Sequence, residues 1–448
     1  MHRASVWVFC VATVAATAEK VEFRAGVARA DITPAEPIRM AGYASRTHSS
    51  TGVSTRLFVK ALALEDAKKN RIVILTTDLL GLPRAFTEEA GARIEKQFGL
   101  RRAQIVFNSS HTHSGPVLRP NMREMYDLTD AEWSVIERNS RRIVDALVTV
   151  AGAALGDLAP ATISFGQGKA GFAVNRREFT RNGVVLGVNP KGPVDHSVPV
   201  IHVRGADGAT RAILFGYACH NTTLGADFYE IDGDYAGYAQ QELESRYKGS
   251  AALFVALCGG DQNPRPRESK EHAIRHGRDL ADAVASVVAG PGRPLHGRFR
   301  VALQMVDLPL LFHDRETFEK ELKDTNVYRT RRARAILKLY DERRPPRSVP
   351  YPVQALGLGK GLTLIALGGE VVVDYALRAK REFGHKGDVI VAAYSNDVMC
   401  YIPSLRVLRE GGYEADTSMI FYGMPSKFTD EVEELIFTTL RKVMARVR

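Results

Sequence analysis

Ala103-Gln104-Ile105-Val106-Phe107-Asn108-Ser109-Ser110 is a largely apolar run that leads directly into His111-Thr112-His113-Ser114-Gly115-Pro116. The apolar run predicts a buried β-strand, and the Gly-Pro pair ends regular structure. Two histidines two residues apart on an extended segment point the same way. We therefore expect two imidazoles side by side at the exposed end of a strand, where metal ligands and proton carriers are common. Two surface histidines on a loop are the alternative.

Strand-like and helix-like segments alternate along most of the chain. Continuous apolar runs at 71–77, 212–218, 252–257 and 388–394 predict strands that are covered on both faces. Helical patterns occupy segments between them, namely 86–98, 131–153, 235–247, 272–288, 316–343, 372–383 and 430–447. This alternation predicts an α/β fold in which layered mixed β-sheets are covered by helices. No Ser/Gly/Pro-rich linker divides the pattern, so we expect one large catalytic domain over residues 19–448.

The composition is that of an ordinary globular protein with a basic excess. The chain has 448 residues, is 45% hydrophobic and carries a formal charge of +10. Much of the excess falls at 329–334 and 341–347. No nucleic-acid-binding motif accompanies it, so we expect a solvated helix face and no nucleic-acid partner. Attraction to anionic lipid surfaces stays open. No phosphate-binding loop, dinucleotide fingerprint or G-x-S-x-G elbow occurs, which argues against nucleotide chemistry and a serine α/β-hydrolase.

The N-terminus has the pattern of a secretory signal peptide. His2 and Arg3 precede a run of apolar and small residues at 5–18, and Ala16-Thr17-Ala18 fits an A-x-A cleavage site. The run is shorter than the roughly 20 residues that span a bilayer. We expect cleavage after residue 18 and export to a periplasm or the exterior; a retained anchor is the alternative.

Cysteine usage indicates no disulfide scaffold. Of four cysteines, Cys10 would leave with the signal peptide, and Cys219, Cys258 and Cys400 would remain. An odd number allows one intrachain disulfide at most. Strand alternation directs the thiols of Cys219 and Cys400 away from their neighbours His220 and Tyr401, so we expect buried, inert thiols.

Four more segments place a reactive polar residue where an apolar strand meets a turn. They are Gly216-Tyr-Ala-Cys-His220-Asn-Thr-Thr223, Cys258-Gly-Gly-Asp261-Gln-Asn263-Pro264, Leu367-Gly-Gly-Glu370, and Tyr394-Ser-Asn-Asp-Val-Met-Cys-Tyr401-Ile-Pro403, the last followed by Gly411-Gly-Tyr413-Glu414-Ala415. Strand ends are where sites form in α/β sheets. Five such turns predict a shared cleft.

The chain resembles the neutral ceramidase family, the zinc amidohydrolases that cleave the N-acyl bond of ceramide. The resemblance begins at Gly26-Val-Ala-Arg-Ala-Asp31-Ile-Thr-Pro34 and Met40-Ala-Gly-Tyr43, and continues through the His-Thr-His-Ser-Gly-Pro motif and Val174-Asn175-Arg176. It ends at the Tyr401 and Tyr413 motifs, so it covers nearly the whole chain after the signal peptide.

The resemblance implies one zinc ion per chain, held by four side chains. By the family's motifs, the metal ligands are His111, His220, Glu370 and Tyr401. Zinc accepts nitrogen and oxygen ligands, and a catalytic site leaves a place for water. Tyrosine is the unusual member, because its pKa is normally near 10.

The resemblance also assigns roles around the metal. His113 corresponds to an acid/base histidine, Tyr413 to a donor to the developing oxyanion, and Arg176 to an arginine near the substrate carbonyl. Each functional residue has a structural alternative. His220 fits a core histidine, Glu370 a helix cap, Tyr401 and Tyr413 packing aromatics, and Arg176 a partner of Glu178 or another surface acid.

Two features depart from the family. Asn263 stands where the family has a serine often proposed as the nucleophile, and an amide cannot replace that hydroxyl. A water mechanism survives the change; Asn263 then either donates a hydrogen bond to substrate or holds the turn. We also expect no C-terminal β-sandwich of the kind found in full-length ceramidases, which opens the choice of substrate.

Three functions fit these residues. The first is a secreted or periplasmic zinc hydrolase acting on an N-acyl linkage, including N-acylsphingosine, with peripheral contact to a membrane surface. The second is a zinc hydrolase of a different amide or ester. The third is an exported binding protein that kept the scaffold and lost catalysis.

Overall fold

The computed structural model describes residues 22–118, 120 and 122–448. The expected signal peptide at 1–18 lies outside these residues. Within them, no helix combines the length and apolar character that crossing a membrane requires.

The described residues form nine α-helices, most of them amphipathic. They are α1 (Arg84–Phe98), α2 (Asp130–Gly156), α3 (Asp234–Arg246), α4 (Lys270–Ala289), α5 (Arg315–Glu321), α6 (Val327–Asp341), α7 (Val373–Phe383), α8 (Leu405–Glu410) and α9 (Val432–Val447). The side chain of Thr129 caps α2 by accepting from the Glu132 backbone N–H, and the Glu132 carboxylate accepts from the Thr129 backbone N–H, which completes a capping box.

The same residues form twenty strands, several of them only two or three residues long. They are β1 (Phe23–Asp31), β2 (Gly52–Val53), β3 (Phe58–Asp66), β4 (Arg71–Thr77), β5 (Ile105–Ser109), β6 (Ala159–Lys169), β7 (Ala173–Thr180), β8 (Gly183–Asn189), β9 (Ser197–Gly205), β10 (Thr210–Tyr217), β11 (Glu230–Ile231), β12 (Ala251–Ala256), β13 (Gln262–Pro264), β14 (Arg293–Pro294), β15 (Phe299–Pro309), β16 (Ser348–Leu358), β17 (Leu362–Leu367), β18 (Glu370–Val371), β19 (Asp388–Ala392) and β20 (Tyr401–Ile402).

Two mixed sheets organise the fold. The large sheet has the order β12-β10-β9-β6-β1-β3-β4-β5, with β14 beside β6, and the small sheet has the order β15-β16-β17-β19. Most neighbours are antiparallel, but β4–β5, β10–β12 and β17–β19 run parallel. Five of the six strands in these pairs, all except β4, lead into the turns singled out in the sequence.

The two sheets pack face to face and helices cover their outer faces. Side chains such as Leu62 and Leu214 of the large sheet share one buried cluster with Leu364 and Ile390 of the small sheet. The helices α1 and α2 cover the outer face at β3–β5, and α3 and α4 cover it near β12 and β6. Across the molecule, α7 and α9 pack on the outer face of the small sheet. The fold is therefore a four-layer α/β/β/α sandwich, and the prediction of layered mixed sheets covered by helices is confirmed.

The single helix expected over 316–343 is wrong, because two helices occupy that span. α5 ends at Glu321, and α6 begins after Asn326, whose side chain accepts from the backbone N–H groups of Tyr328 and Arg329. The Asp324 carboxylate in turn accepts from the Asn326 N–H. A capping asparagine inside a charged stretch restarts the helix, and charge periodicity alone does not reveal it.

Candidate functional site

The predicted turns meet at one edge of the two sheets. His111 follows β5, His220 follows β10, Glu370 opens β18 just after β17, and Tyr401 opens β20, which pairs with β18 in parallel. Gln262–Pro264 follows β12 as β13. The carboxyl ends of the three parallel pairs thus deliver the site residues to one place, as open α/β sheets generally do.

His111 reaches the site by a sharp backbone turn. The strand β5 stops at Ser109, and His111 adopts a left-handed backbone with φ of 63°. The expectation of two histidines on one extended, exposed strand end is therefore wrong in backbone geometry. The imidazoles nevertheless converge, because the Nε2 atoms of His111 and His113 lie 3.1 Å apart. His111 is only 1% exposed, which excludes the surface-loop alternative for it.

Backbone carbonyls fix the tautomers of two imidazoles. The Nδ1 of His111 lies 2.7 Å from the carbonyl oxygen of Leu80, and the Nδ1 of His220 lies 2.9 Å from that of Gly259. A carbonyl oxygen can only accept, so each Nδ1 carries the proton and each Nε2 presents a lone pair. This is the arrangement that orients metal-binding histidines in proteins.

The Glu370 carboxylate faces both lone pairs. Its Oε2 lies 3.0 Å from the Nε2 of His111 and 3.1 Å from the Nε2 of His220, and it is buried without a hydrogen-bond donor among the described residues. Its other oxygen, Oε1, accepts a hydrogen bond from the Tyr422 hydroxyl. Two imidazole lone pairs and one carboxylate oxygen therefore converge in a buried space, an arrangement that a cation would satisfy.

The spacing of these atoms suits a metal ion. Donors held at about 2.05 Å from a tetrahedral metal lie roughly 3.3 Å apart, close to the separations of 3.0 and 3.1 Å seen here. His111, His113 and His220 together form a group whose ligand atoms all lie within 4.8 Å of one another and could hold a metal ion. That group includes His113, which the resemblance assigns to proton transfer.

Burial sets the ionisation of the site. Burial lowers the pKa of His220 to about 4 and holds the pKa of His113 well below its usual value, so both imidazoles are neutral at pH 7. Burial alone would raise the pKa of Glu370, but the adjacent His111 and His220 hold it well below its ordinary value. A neutral His220 imidazole and an ionised Glu370 carboxylate are the protonation states that metal binding requires.

Tyr401 connects the histidines to a buried arginine. Its hydroxyl lies 3.1 Å from the Nε2 of His220 and accepts from the Nη2 of Arg176 at 3.0 Å. Burial raises the pKa of Tyr401 well above its usual value, and the guanidinium of Arg176 opposes that shift. Arg176 also donates from Nη1 to the Oδ1 of Asn263 at 3.3 Å.

A buried glutamate that sequence reasoning missed holds two arginines in place. Glu414 accepts from the Nε of Arg176 at 2.7 Å and from the Nη1 of Arg177 at 2.6 Å, and all three side chains are buried. Arg176 therefore pairs with an interior acid. Glu178, the partner considered from the sequence, accepts instead from the backbone N–H of Val188 at 3.1 Å.

Aromatic side chains form the partly exposed rim of the site. The rings of Tyr413 and Tyr401 lie 5.4 Å apart, and Phe421 lies 6.3 Å beyond Tyr413. Tyr413, Phe421 and Tyr422 are half-buried, whereas His111, His220 and Glu370 beneath them are buried. Sequence reasoning found Tyr413 but missed Tyr422, which no motif marks.

A buried cation fixes the backbone of His113. Arg46 donates to the carbonyl oxygens of His113 and Ala41, and also to that of Phe228 at 3.0 Å. The ring of His113 lies over Gly42, where an added Cβ would meet the imidazole at 2.4 Å and where φ is +96°. Glycine is thus required at 42 by both space and backbone conformation.

Asn108 ties three strand ends together beneath the site. Its Oδ1 accepts from the Ala256 N–H at 2.9 Å, and its Nδ2 donates to the Ala393 carbonyl at 2.7 Å and to the Ser395 hydroxyl at 3.1 Å. It therefore joins β5 and β12, the two ends of the large sheet, to the end of β19. In the sequence, Asn108 is marked only as a polar residue within an apolar run.

The cysteines take no part in the site. Cys219, Cys258 and Cys400 are free and buried, as expected. Burial raises the pKa of each thiol. All eight residues predicted from the sequence lie in one connected cluster, namely His111, His113, Arg176, His220, Asn263, Glu370, Tyr401 and Tyr413.

Comparison with known proteins gives a family match. The sequence profile described as "Neutral/alkaline non-lysosomal ceramidase, N-terminal" matches residues 23–283. The neutral ceramidase of Pseudomonas aeruginosa is 26% identical over 259 residues, which is 56% of this chain and 38% of that protein. The neutral ceramidase of Drosophila pseudoobscura pseudoobscura is 31% identical over 295 residues, 61% of this chain and 41% of that protein. The matches thus span about two fifths of these relatives.

Solved structures show the same fold. The crystal structure of the Pseudomonas aeruginosa neutral ceramidase superposes with a TM-score of 0.75 at 19% identity, covering 95% of this chain and 74% of that one. A structure described as "Ceramidase complexed with C2" gives a TM-score of 0.74 at 18% identity, covering 94% of this chain and 75% of that one.

Proposed function

Because the chain belongs to the neutral/alkaline non-lysosomal ceramidase family, we propose that it is a zinc-dependent amidohydrolase that cleaves the N-acyl bond of a lipid amide of the ceramide type. One observation carries the proposal. The Nε2 lone pairs of His111 and His220 meet the unpartnered Oε2 of Glu370 within 3.1 Å in a buried space. A cation would satisfy all three acceptors at once.

Four side chains would hold the zinc: His111, His220, Glu370 and Tyr401. Nitrogen and oxygen donors suit zinc, and the guanidinium of Arg176 against the Tyr401 hydroxyl opposes the rise that burial gives to the pKa of Tyr401. When bound there, zinc would polarise the amide carbonyl and lower the pKa of a water molecule.

His113 would carry the proton of the reaction. As the bond from the water oxygen to the acyl carbon forms, Nε2 of His113 takes a proton from the water. It then gives that proton to the amine nitrogen as the C–N bond breaks, which yields a carboxylic acid and a free amine. The buried Arg46 beneath its backbone supports this role by holding the imidazole at the site.

The rim would bind the polar part of the substrate. Tyr413 is half-buried at the mouth, and its hydroxyl makes no hydrogen bond with any described residue, so it is free to donate to the carbonyl oxygen as negative charge develops. Arg176 uses three of its five N–H groups on Glu414, Asn263 and Tyr401, which leaves donors for the substrate.

Because Asn263 replaces the family's serine, we infer that water is the nucleophile of the reaction. The Asn263 amide stands where the family has a serine, and it accepts from Arg176 at 3.3 Å, so its Nδ2 group can donate to a substrate hydroxyl. The same change makes hydrolysis of a different amide or ester the second candidate. The proposed export rests on the N-terminal sequence alone.

A substrate screen with and without metal tests the proposal. We expect the purified chain to hold one zinc, to hydrolyse N-acylsphingosines faster than simple amides and esters, and to lose activity on full chelation. His111→Ala should abolish stoichiometric zinc, whereas His202→Ala, which removes a histidine bonded to Thr210 outside the site, should not. Activity that persists after complete metal removal would refute the mechanism.

A further inference from the structure

A second pocket lies at the end of the small sheet that is opposite to the candidate site. Its volume is about 580 Å³, and its walls come from the start of β15, the β16–β17 turn, the turn before β19 and the end of α9. Leu362 opens β17 at this pocket, whereas Glu370 follows the other end of the same strand. The six residues of β17 place its two ends roughly 20 Å apart. The pocket is therefore separate from the metal site.

The side chains that line this pocket include five cations and no acid. The cations are Arg298, Arg300, Lys360, Lys386 and Arg448. Three of them, Arg298, Lys360 and Lys386, are exposed, and their side chains make no hydrogen bond or ion pair with any described residue. A cleft whose walls carry charge of one sign concentrates ions of the opposite sign, so the lining favours an anionic ligand.

The carboxylates beside the pocket already have other partners. Glu22 accepts from Nδ1 of His296 at 2.7 Å, and Asp388 accepts from Nη2 of Arg293 at 2.8 Å. Burial opposes the lowered pKa of Glu22, the hydrogen bond from His296 is the largest interaction that lowers it, and the charge of Lys360 is the smallest. These acids therefore neutralise cations outside the lining and leave most of the positive charge of the pocket uncompensated.

The other two cations are partly engaged. Nη1 of Arg300 donates to the main-chain oxygen of Arg448 at 2.7 Å, so Arg300 is paired with that end of α9. Nη1 of Arg448 donates to the carbonyl oxygen of Phe383 at 2.7 Å, but its Nη2 is buried without a hydrogen-bond partner among the described residues. A buried donor without an acceptor costs free energy. The lining thus holds one unsatisfied cationic donor in addition to the three free cations.

Close backbone packing fixes the turns that carry two of the free cations. Gly359, which precedes Lys360, has φ of +73°, and an added Cβ there would lie 2.4 Å from the carbonyl oxygen of His296. An added Cβ at Gly387, which follows Lys386, would lie 2.6 Å from the carbonyl oxygen of Gly361. Both turns therefore pack backbone against backbone, and the pocket is pre-formed, as ligand sites usually are.

We propose that this pocket binds a small soluble anion that carries two or more phosphate groups, of the sugar bisphosphate type. Guanidinium and ammonium groups are the side chains that bind phosphate. One phosphate group carries a charge of about −1.5 to −2, which is less than three free cations can balance. None of the described lining residues is aromatic, so a nucleobase would find no ring to stack on. The inference does not depend on the proposed function.

Titration calorimetry with fructose 1,6-bisphosphate tests the site without any turnover. We expect the purified full chain to bind one bisphosphate, to bind orthophosphate more weakly and fructose not at all, and to lose affinity as salt rises. The double variant Arg298→Gln/Lys386→Gln should raise the dissociation constant about tenfold or more, because two charged donors to phosphate are lost. Neither side chain has a partner in the folded protein, so the variant should fold like the parent.

Two control variants locate the binding. Lys248→Gln/Arg278→Gln removes the same charges from exposed, unpartnered positions after α3 and on α4, and its affinity for the bisphosphate should equal that of the parent. His111→Ala should also bind like the parent, because the metal site lies at the other end of β17. Absence of binding by the parent, equal dissociation constants in the pocket variant and the parent, equal losses in both double variants, or loss of binding in His111→Ala would overturn the inference.

Discussion

Two backbone carbonyls decide what the imidazoles of the site can do. The oxygens of Leu80 and Gly259 accept hydrogen bonds from the Nδ1–H groups of His111 and His220, and the Nε2 lone pairs of both rings face Glu370. Neither carbonyl has a side-chain signature, so the sequence predicts which histidines take part but not which nitrogen each presents. The pairing depends on strands that are distant in sequence.

His113 is the residue whose role is most sharply testable, because it lies as close to the site as a ligand would. His113→Ala should lower kcat by about 10²–10⁴-fold through loss of the proton carrier while zinc content stays at one per chain. Metal analysis beside steady-state kinetics measures both. Loss of zinc in this variant would make His113 a ligand and remove the proposed proton carrier.

Tyr422 should strengthen zinc binding indirectly, by orienting the Glu370 carboxylate. Its hydroxyl donates to Oε1, which leaves Oε2 directed at the imidazoles. Tyr422→Phe should weaken zinc binding by about 10–100-fold, the usual effect of losing a hydrogen bond to a metal ligand. Competition with a coloured chelator measures the affinity.

Tyr328→Phe is the matched control for that measurement. It removes a hydroxyl at the same rim that contacts only the Ala44 carbonyl, and zinc affinity should not change. Equal affinities in Tyr422→Phe and the parent would show that the hydrogen bond does not position Glu370.

At the scale of elements, the apolar runs in the sequence correctly located four strands of the parallel pairs beside the site. The run at 71–77 coincides with β4, and the runs at 212–218, 252–257 and 388–394 overlap β10, β12 and β19. Because these strands are buried on both faces, their composition alone identifies them. The short pair β18–β20 has no such signal. It forms only because Glu370 and Tyr401 meet across the site.

Asn108 should stabilise the junction of these elements. Asn108→Ala leaves the Ala256 N–H and the Ala393 carbonyl without their partner in a buried place, which should cost about 2–3 kcal/mol in the free energy of unfolding. Urea denaturation measures the loss. Asn139→Ala on α2, away from the site, should lower the free energy of unfolding by less. An equal loss in both variants would contradict the claim that Asn108 stabilises the junction of these strands.

At the scale of the whole molecule, the resemblance predicted more than periodicity could. Periodicity predicted the layered α/β class and the strand-end turns predicted a shared cleft, whereas the metal ligands and their roles followed from the family's motifs along the chain. Glu414 lies in the Tyr413 motif but was given no role, and Tyr422 was missed, because the partner of each is more than fifty residues away in sequence. The pairing of Arg176 with Glu414 is a property of the assembled fold.

Asp261 should make the free energy of unfolding of the whole molecule depend on pH. Burial, with Asp374 and Glu414 nearby, raises the pKa of Asp261 to about 7, although the Val373 N–H and Arg406 oppose the shift. The folded state therefore binds this proton more tightly than the unfolded state, whose pKa is near 3.9. The stability it contributes is fully present below pH of about 4 and is lost as pH rises through about 7.

Asp261→Asn removes that titration. Between pH 5 and 8, the parent should lose at least about 1 kcal/mol of unfolding free energy relative to the variant, measured by urea denaturation at each pH. Asp207→Asn on an exposed turn should follow the parent. Parallel pH curves for Asp261→Asn and the parent would contradict the buried titration.

The central claim is that one zinc ion binds between His111, His220, Glu370 and Tyr401. X-ray absorption at the zinc edge of the loaded protein tests it most directly. The account predicts two imidazole nitrogens at about 2.0–2.1 Å with oxygen completing the shell, and the same spectrum for His113→Ala. Sulfur at about 2.3 Å, a third imidazole, or no stoichiometric zinc would contradict it.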